Sequence, residues 1–352
     1  MATIKDVAKR AGVSVSAVSR ALNGYSDINA DTKARILQVV EELRYFPKAS
    51  ARHLVTQKSF TIGVHYPSIS GPGLRQPFIA HVLDVFKNYV GMQGYDVIIF
   101  CSTSMPFIQK YDLADRVRYR DVDGVLLLGP PDESIDLLVA SEIPVVGVDF
   151  ATTSSRGGSV NSDNRRAIHE VVLMLHANGY SRFAFAHGPL DLPVSRERLQ
   201  GFYGAMAMMG MQPKPEWVVD GDFTVEGGVR ACERILSLPE YPDVIVCSAD
   251  GTAIGVLQTL QKAGVKVPDI ISVTGFDDID GASFVYPQLT TIRQDKDEIG
   301  RLAAQMMLQL IEGNPLGVPM YYTLPTRLIV RGSTRPLPVI PSLLARDIQQ
   351  AQ

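Results

Sequence analysis

Residues 3–23 (TIKDVAKRAGVSVSAVSRALN) contain the first side chains whose types and spacing point to a definite chemistry. Val15, Ser16 and Arg20 share one face of a helical pattern and supply a small apolar group, a hydroxyl and a guanidinium. Such groups contact base edges and phosphates in a major groove, which admits one helix. The pattern therefore predicts a DNA-reading face made of Val15, Ser16, Arg20 and the polar residues around them, Thr3, Ser14, Ser19 and Asn23.

Two short helices would position this face. Thr3 is a good N-cap for the first helix, and Gly12 allows a sharp turn at its end. Ser14 is a candidate N-cap for the second helix. The apolar residues of the two helices would pack on each other: Val7, Ala8 and Ala11 with Val18, Ala21 and Leu22.

A third helix would complete a small core. Asn29 is its candidate N-cap, and its apolar positions are Ile36, Val39, Val40 and Leu43. The same spacing also fits two short surface helices of a larger α-helical domain, in which Arg20 is simply solvated.

The segment DVAKRAGVSVSAVSRALNG, followed by a third helix and RYFPKASARHL, resembles the start of a lactose-repressor (LacI/GalR) family regulator. The resemblance implies that residues 47–58 form a hinge helix when two copies pair in the minor groove, where a leucine wedges between base pairs. Leu54 matches that leucine, and Ala51 and Arg52 match the residues before it. Lys48 stands where the family commonly has Asn, and the alternative for this segment is an ordinary interdomain linker.

Charge is distributed unevenly along the chain, whose net charge is only −3. Residues 1–58 contain ten Lys or Arg and five Asp or Glu, a net charge of +5, so the remaining residues carry −8. A basic N-terminal module on an acidic body is the pattern of a DNA-binding domain attached to a domain that does not bind DNA.

The cellular setting is predicted from the absence of targeting signals. No apolar run follows Met1, and no stretch of about 18 apolar residues occurs, so we expect neither secretion nor membrane insertion. Cys101, Cys232 and Cys247 are odd in number and lack paired spacing, which favours buried free thiols in a reducing cytosol. We therefore expect a cytoplasmic protein.

From Ser59 onward, short runs rich in Val and Ile alternate with longer helical stretches such as residues 78–93. We predict buried parallel strands at 61–64, 96–100, 124–128 and 144–148, and a second set at 182–186, 243–247 and 271–276. The fold class is therefore α/β, with two lobes of parallel doubly wound sheets behind a three-helix DNA-binding domain. In open parallel sheets, ligands bind at the carboxyl ends of the strands.

The predicted organisation is a DNA-binding domain at 1–46, a hinge at 47–58, a two-lobed effector-binding and dimerisation domain at 59–339, and a C-terminal tail at 340–352. Lobe 1 would comprise about 59–159 and 293–324, and lobe 2 about 160–290 and 326–339. We expect the chain to cross between lobes at 157–161, 289–294 and 324–328. The tail lacks sustained heptads, so we expect a homodimer without a tetramerising coiled coil.

The resemblance extends over the whole chain through VDGVLLL, IPVVGVD, SDN, RERLQGF, SADGTAIG, PDIISVTGFDD, YPQLTTIRQD and LIVRGSTRP. It implies a periplasmic-binding-protein-like (type I) effector domain, whose cleft would be lined by Asp149, Arg198, Phe223 and Asp277. We add Ser68, Phe78 and Asp250 to the candidate site. Arg75, in the Gly- and Pro-rich loop HYPSISGPGLRQPF, would lie near the cleft mouth and meet an acidic group, or else be solvated.

The candidate cleft chemistry suits a polyol, because carboxylates accept hydrogen bonds from paired hydroxyls, an arginine supplies a rigid set of donors, and Phe223 offers a flat apolar face. The expected function is an allosteric transcriptional regulator, a repressor that binds a pseudo-palindromic DNA operator as a dimer under the control of a sugar or sugar derivative. The alternatives are a nucleobase, nucleoside or phosphorylated corepressor, and a sugar receptor without a role on DNA.

Catalysis is not expected. Asp277 and Asp278 are adjacent and would point to opposite sides of an extended chain, and Asp163 with His169 or His187 makes only a weak polar site. No nucleophile elbow, Walker loop, zinc spacing or dinucleotide fingerprint occurs in the required context, so we expect no cofactor and no metal site.

We predict that Leu54→Ala lowers both operator affinity and DNA bending, because it removes the apolar wedge that the resemblance implies. Gel mobility of duplexes carrying the operator at different positions measures both quantities. The neighbouring variant His53→Ala serves as control. Unchanged affinity and bending in Leu54→Ala would contradict the wedge.

Overall fold

Two units make up the chain, residues Met1–Ser59 and Phe60–Gln352. The computed structural model describes residues 2–22, 25, 27–45, 58–66, 73–100, 112–129, 138, 140–152, 154–313 and 318–338. The predicted hinge residues Lys48, Ala51, Arg52 and Leu54 lie outside the described residues, as do Asn23, Ser68 and the C-terminal tail.

Local capping fixes the three helices of the N-terminal unit, α1 (Ile4–Ala11), α2 (Val15–Leu22) and α3 (Ala30–Glu42). Thr3 and Asp6 form a capping box, in which the Thr3 backbone N–H donates to Asp6 Oδ2 at 2.8 Å. Gly12 ends α1 with a φ of 65°, a left-handed conformation that favours glycine. Ser14 Oγ accepts from the Ala17 N–H at 3.2 Å, and Asn29 caps α3, so these predicted caps are present.

The helices enclose one small apolar core. Its buried residues include all the predicted positions of α1 and most of those of the other two helices: Val7, Ala8, Ala11, Val18, Ala21, Ile36 and Val39. Tyr45 joins this core from beyond α3, a contact that the helical spacing did not predict. Burial of these side chains leaves the opposite face of α2 exposed on the surface of the N-terminal unit.

Lobe 1 of the larger unit is built on a six-stranded sheet in the order β11-β5-β4-β3-β1-β2, with all pairs parallel. The strands are β1 (Thr61–His65), β2 (Asp96–Phe100), β3 (Gly124–Leu128), β4 (Val145–Val148), β5 (Gly157–Ser162) and β11 (Met320–Leu324). Its helices with described bounds are α4 (Pro77–Met92), α5 (Leu113–Arg120) and α11 (Lys296–Glu312). Helices α4 and α11 bury a continuous apolar core against the sheet.

Lobe 2 repeats this plan with the order β12-β10-β9-β8-β6-β7, in which only the β10–β12 pair is antiparallel. The strands are β6 (Phe183–His187), β7 (Val218–Asp220), β8 (Val244–Cys247), β9 (Ser272–Asp277), β10 (Thr290–Arg293) and β12 (Arg327–Ile329). Its helices are α6 (Asn164–Ala177), α7 (Pro193–Met208), α8 (Val225–Leu236), α9 (Asp250–Lys262) and the short α10 (Gly281–Phe284). The doubled α/β fold predicted from the sequence is therefore confirmed.

Three connections join the lobes, between β5 and α6, between β10 and α11, and between β11 and β12. The expectation that residues 157–161 cross between lobes was wrong, because these residues lie inside strand β5 of lobe 1. Small residues let this strand approach its neighbours closely: a Cβ on Gly158 would lie 2.0 Å from Met306 Sδ. In the described part of the chain, no helix combines the length and apolarity needed to cross a membrane.

The side chain of Asp278 holds the ends of two strands of lobe 2 beside these connections. Its carboxylate accepts from Arg293 Nε at 2.6 Å and from Arg331 Nη2 at 2.7 Å. Burial would raise the pKa of Asp278, but the hydrogen bonds from Arg331 and Arg293 outweigh it and hold the pKa below its usual value. The ionised form of Asp278 therefore stabilises the ends of β10 and β12.

We predict that Asp278→Asn lowers the free energy of unfolding at neutral pH by about 3 kcal/mol, because it leaves the half-buried Arg331 without its carboxylate. The pKa of Asp278 lies below the unfolded value of about 3.9, so this stabilisation is present above that pH and is lost as pH falls further. Calorimetry at several pH values measures it. Asp297→Asn, which removes an exposed partner of His81, is the control and is expected to change stability little.

Candidate functional site

The N-terminal unit presents the predicted DNA-reading face on α2. Val15 is 41 % exposed, Ser16 and Arg20 are also exposed, and Ser19 is half-buried, while Val18 and Ala21 face the core. Thr3 and Ser14 serve as caps, and Ser14 Oγ also lies 2.8 Å from Ser16 Oγ. The face is therefore accessible, and capping already engages two of its candidate hydroxyls.

Arg20 has a partner that the sequence did not reveal. Its Nη1 donates to Asp27 Oδ2 at 3.0 Å, and the two side chains are 58 % and 54 % exposed. Asp27 lies beyond the end of α2, so the helical periodicity of α2 could not have found the pair.

A cleft lies between the two sheets of the larger unit, at the carboxyl ends of their strands. Asp149 follows β4, Asp277 ends β9, and Phe223 follows β7. Its inner part, of about 40 Å³, is lined by Phe78, Asp149, Arg198, Phe223 and Asp277 among others. Its outer part, of about 600 Å³, shares Gln76, Phe223 and Asp277 with the inner part and reaches Arg75. Six of the eight candidate effector residues thus meet in one cleft.

Arg198 is the buried cation of the cleft. From α7 its Nε donates to Asn164 Oδ1 at 2.8 Å and its Nη1 to the Ser248 carbonyl at 2.7 Å. The guanidinium lies over the Phe276 ring at 3.7 Å, and Nη1 is 4.0 Å from Asp277 Oδ1. Burial lowers the pKa of Arg198 while Asp277 and Asp149 oppose that effect, and a guanidinium remains protonated in proteins. A fixed positive charge therefore sits beside two carboxyl groups.

Asp149 has an oxygen ready to accept a hydrogen bond. Its Oδ1 is buried and has no hydrogen-bond partner within the described ranges. Burial raises the pKa of Asp149 to about 7, although Arg198 acts in the opposite direction. A hydroxyl placed here would satisfy a group that is otherwise costly to bury.

Asp277 is held more firmly. Gln294 Nε2 donates to its Oδ1 at 2.7 Å, and the Lys296 ammonium donates to its carbonyl at 2.8 Å. Burial raises the pKa of Asp277 to about 6, against the opposing effects of Arg198 and Gln294. Because Gln294 lies in the connection between β10 and α11 and Lys296 is the first residue of α11, Asp277 links the cleft to a lobe crossing.

Phe223 owes its position to a glycine. A Cβ on Gly188 would come within 2.2 Å of the Phe223 ring, so only glycine leaves room for the ring at this end of β6. The Arg198 guanidinium lies 5.7 Å from the centre of the same ring. The role of Gly188 was not predicted from the sequence, because a glycine after a strand can serve several structural purposes.

Backbone strain is concentrated around the cleft. Non-glycine residues with positive φ include Asp149 at 65°, Phe223 at 63° and Asp277 at 115°. Their neighbours Asp222 and Asp278 have φ values of 56° and 51°. Such conformations cost free energy and cluster at binding sites.

Asp250 does not line either part of the cleft, contrary to its prediction as an effector-binding residue. Its Oδ1 accepts from Thr291 Oγ1 at 2.5 Å and its Oδ2 from the Ile279 N–H at 2.9 Å. The side chain is fully buried, and a Cβ on Gly275 would lie 2.1 Å from Oδ1. Both oxygens are therefore used in joining α9 to β10 and to the loop after β9.

Comparison with known proteins covers both units. Residues 3–48 match the family model of bacterial regulatory proteins of the lacI family, and residues 172–334 match that of the periplasmic binding protein-like domain. The transcriptional repressor CytR of Escherichia coli is 34 % identical over 341 residues, which are 96 % of this chain and 97 % of CytR.

Two solved structures of transcriptional regulators are similar to this chain over most of its length. The Lac repressor dimer bound to operator and the anti-inducer ONPF superposes with a TM-score of 0.83 at 26 % identity, covering 95 % of this chain and 99 % of that one. A complex of the transcriptional regulator CelR with cellobiose has a TM-score of 0.70 at 27 % identity, over 95 % of this chain and 100 % of that one. The chain belongs to the LacI family of DNA-binding transcriptional regulators and is not an enzyme.

Proposed function

We propose that the cleft binds a neutral sugar or sugar derivative, and that this effector sets the affinity of a dimer of the chain for a pseudo-palindromic operator. The observation that carries the proposal is the buried, unpartnered Oδ1 of Asp149 beside the fixed guanidinium of Arg198. A ligand with adjacent hydroxyls can donate to the first and accept from the second.

The remaining cleft groups fit the same ligand. Arg198 Nη2 has no hydrogen-bond partner among the residues described, so it is available as a donor. The Phe223 ring offers an apolar face to the C–H side of a sugar ring. The outer part of the cleft, at about 600 Å³, lies within the range of small-molecule sites.

Charge argues against a phosphorylated or acidic effector. The described lining of the outer cleft includes the carboxyl groups of Asp222, Glu226 and Asp277 and one guanidinium, that of Arg75. Arg198, deeper in the cleft, is already opposed by Asp277 and Asp149. An anionic ligand would meet more carboxyl groups than cations, which costs several kcal/mol when water is excluded. A nucleoside remains the second candidate, because its ribose carries paired hydroxyls and Phe78 and Phe223 line the same cavity.

The proposed mechanism uses two states of the lobes. Two copies of α2 occupy neighbouring major-groove half-sites, with paired hinge segments between them. The effector favours one arrangement of the lobes and thereby permits or forbids the hinge helices. Such couplings are typically about 1–3 kcal/mol. The solved complex of the similar transcriptional regulator CelR with cellobiose supports a carbohydrate effector.

We predict that a thermal-shift screen of neutral sugars, nucleosides, sugar acids and sugar phosphates finds its largest increase in Tm with a neutral sugar, since a ligand of the folded cleft stabilises it. Titration calorimetry with that sugar should show affinity rising as pH increases from 6 to 8. The sign follows because hydroxyl donors bind the ionised form of Asp149, whose pKa is about 7 in the free protein.

Asp149→Asn should lower the affinity about tenfold at pH 8 and reduce the rise with pH. Asp297→Asn, in an exposed pair of lobe 1, is the control and should leave binding unchanged. A screen in which only phosphorylated or acidic ligands raise Tm would contradict the proposed effector class.

We predict that Arg20→Ala weakens operator binding by about 1–3 kcal/mol and weakens binding to random duplex far less, because Arg20 is placed to read a base. Fluorescence anisotropy at fixed salt measures both affinities. Lys9→Ala, an exposed lysine of α1, is expected to weaken the two equally. Equal losses for Arg20→Ala would exclude base reading.

A further inference from the structure

The charge of helix α2, which carries the predicted DNA-reading face, lies in one side chain. Helix α2 (VSAVSRAL) contains a single charged residue, Arg20, and its other exposed groups are small or uncharged. Guanine presents two acceptors in the major groove, and an arginine that binds both is the commonest specific contact. The orientation of Arg20 therefore matters more for sequence discrimination than that of any other group on α2.

Asp27 is placed to set that orientation. Its carboxylate accepts from Arg20 Nη1 at 3.0 Å. The residues after it are fixed: Ile28 packs against the three-helix core and Asn29 caps α3 by accepting from the Asp31 N–H at 2.9 Å. On the other side, the Tyr25 N–H donates to the Arg20 carbonyl at 3.1 Å. The acceptor is thus held by the fold.

The pair contributes little to folding, because both side chains are more than half exposed. Its geometry matters more for binding. An arginine side chain loses rotamer freedom when it is immobilised, and a partner that already restrains it removes part of that entropic cost. One hydrogen bond to Asp27 uses one of five N–H donors, which leaves the other four for a base edge.

The charge of Asp27 acts in a second way. A carboxylate near the DNA backbone repels phosphates and weakens binding to every sequence. Only a sequence that engages Arg20 regains free energy from the restrained guanidinium. Repulsion of phosphates by Asp27 and restraint of Arg20 together lower the affinity for non-specific DNA and increase the difference in affinity between the operator and other sequences.

We propose that Asp27 is a positioning residue that orients Arg20 toward one guanine in each operator half-site and so determines discrimination at that base pair. The inference rests on the DNA-binding function of the family and is independent of the proposed effector.

The test uses the full-length protein. Selection from a random duplex library identifies the preferred operator of the parent chain. The same selection with Arg20→Ala identifies the base pair that Arg20 reads, as the position at which the preference is lost. Asp27→Asn is then compared with Asp31→Asn, which removes the same charge from an exposed residue in the first turn of α3. Anisotropy gives the affinity of each protein for the operator, for the operator with that base pair changed, and for random duplex.

We expect Asp27→Asn to reduce discrimination at that base pair about fivefold, the upper range for an exposed ion pair, and Asp31→Asn to leave it unchanged. Both variants should bind random duplex more tightly, by similar factors, because each removes one negative charge. In the Arg20→Ala background, Asp27→Asn should have no further effect on discrimination. In the parent protein, Asp27→Glu should retain part of the discrimination that Asp27→Asn loses.

Equal discrimination in Asp27→Asn and Asp31→Asn would overturn the proposal, as would a loss that persists when Arg20 is absent. A parent protein that enriches no sequence would overturn the DNA-reading role on which the proposal rests.

Discussion

A buried guanidinium organises the floor of the cleft, and the arrangement of the surrounding groups depends on it. Arg198 reaches from α7 to Asn164 and to the Ser248 carbonyl, and it offsets part of the cost of burying the carboxyl groups of Asp149 and Asp277. Its flat face lies on Phe276, which prevents the side chain from moving without repacking the core of lobe 2. A charged group enclosed in this way is stable only with its partners, so a ligand that changes their hydrogen bonding alters the free energy of the whole cluster.

Asp277 carries that effect beyond the cleft. It touches Gln294 through its carboxylate and Lys296 through its carbonyl. Gln294 lies in the connection that leads from lobe 2 to lobe 1, and Lys296 is the first residue of α11 in lobe 1. The next residue, Asp278, fastens the same connection through Arg293 and holds Arg331 beyond β12. A shift of Asp277 would therefore reach a segment that joins the lobes, as the proposed two-state response to a ligand requires.

Much of the fold follows from the sequence because buried parallel strands are continuous apolar runs. DVIIF, GVLLL and DVIVC are recognisable on that ground, and the three-helix unit is recognisable from its caps and spacing. Strands β5 and β11 were missed because their residues are small, polar or exposed and their pairing is decided by distant neighbours. Asp250 was misassigned for a similar reason, since a carboxyl group after a strand can either face a ligand or bond to the scaffold. The contacts of Asp27 with Arg20 and of Gly188 with Phe223 join residues that do not share a helix or strand, and only the folded chain reveals them.

In the proposed mechanism the cleft and the DNA-reading face are energetically coupled, and linkage makes this coupling measurable from either side. The most direct measurement is calorimetric titration of the full-length dimer with its identified effector, in the presence and absence of saturating operator at constant salt. We expect operator to change the effector affinity by a factor of about 5 to 150, and effector to change the operator affinity by the same factor. Equal effector affinities with and without operator would contradict it.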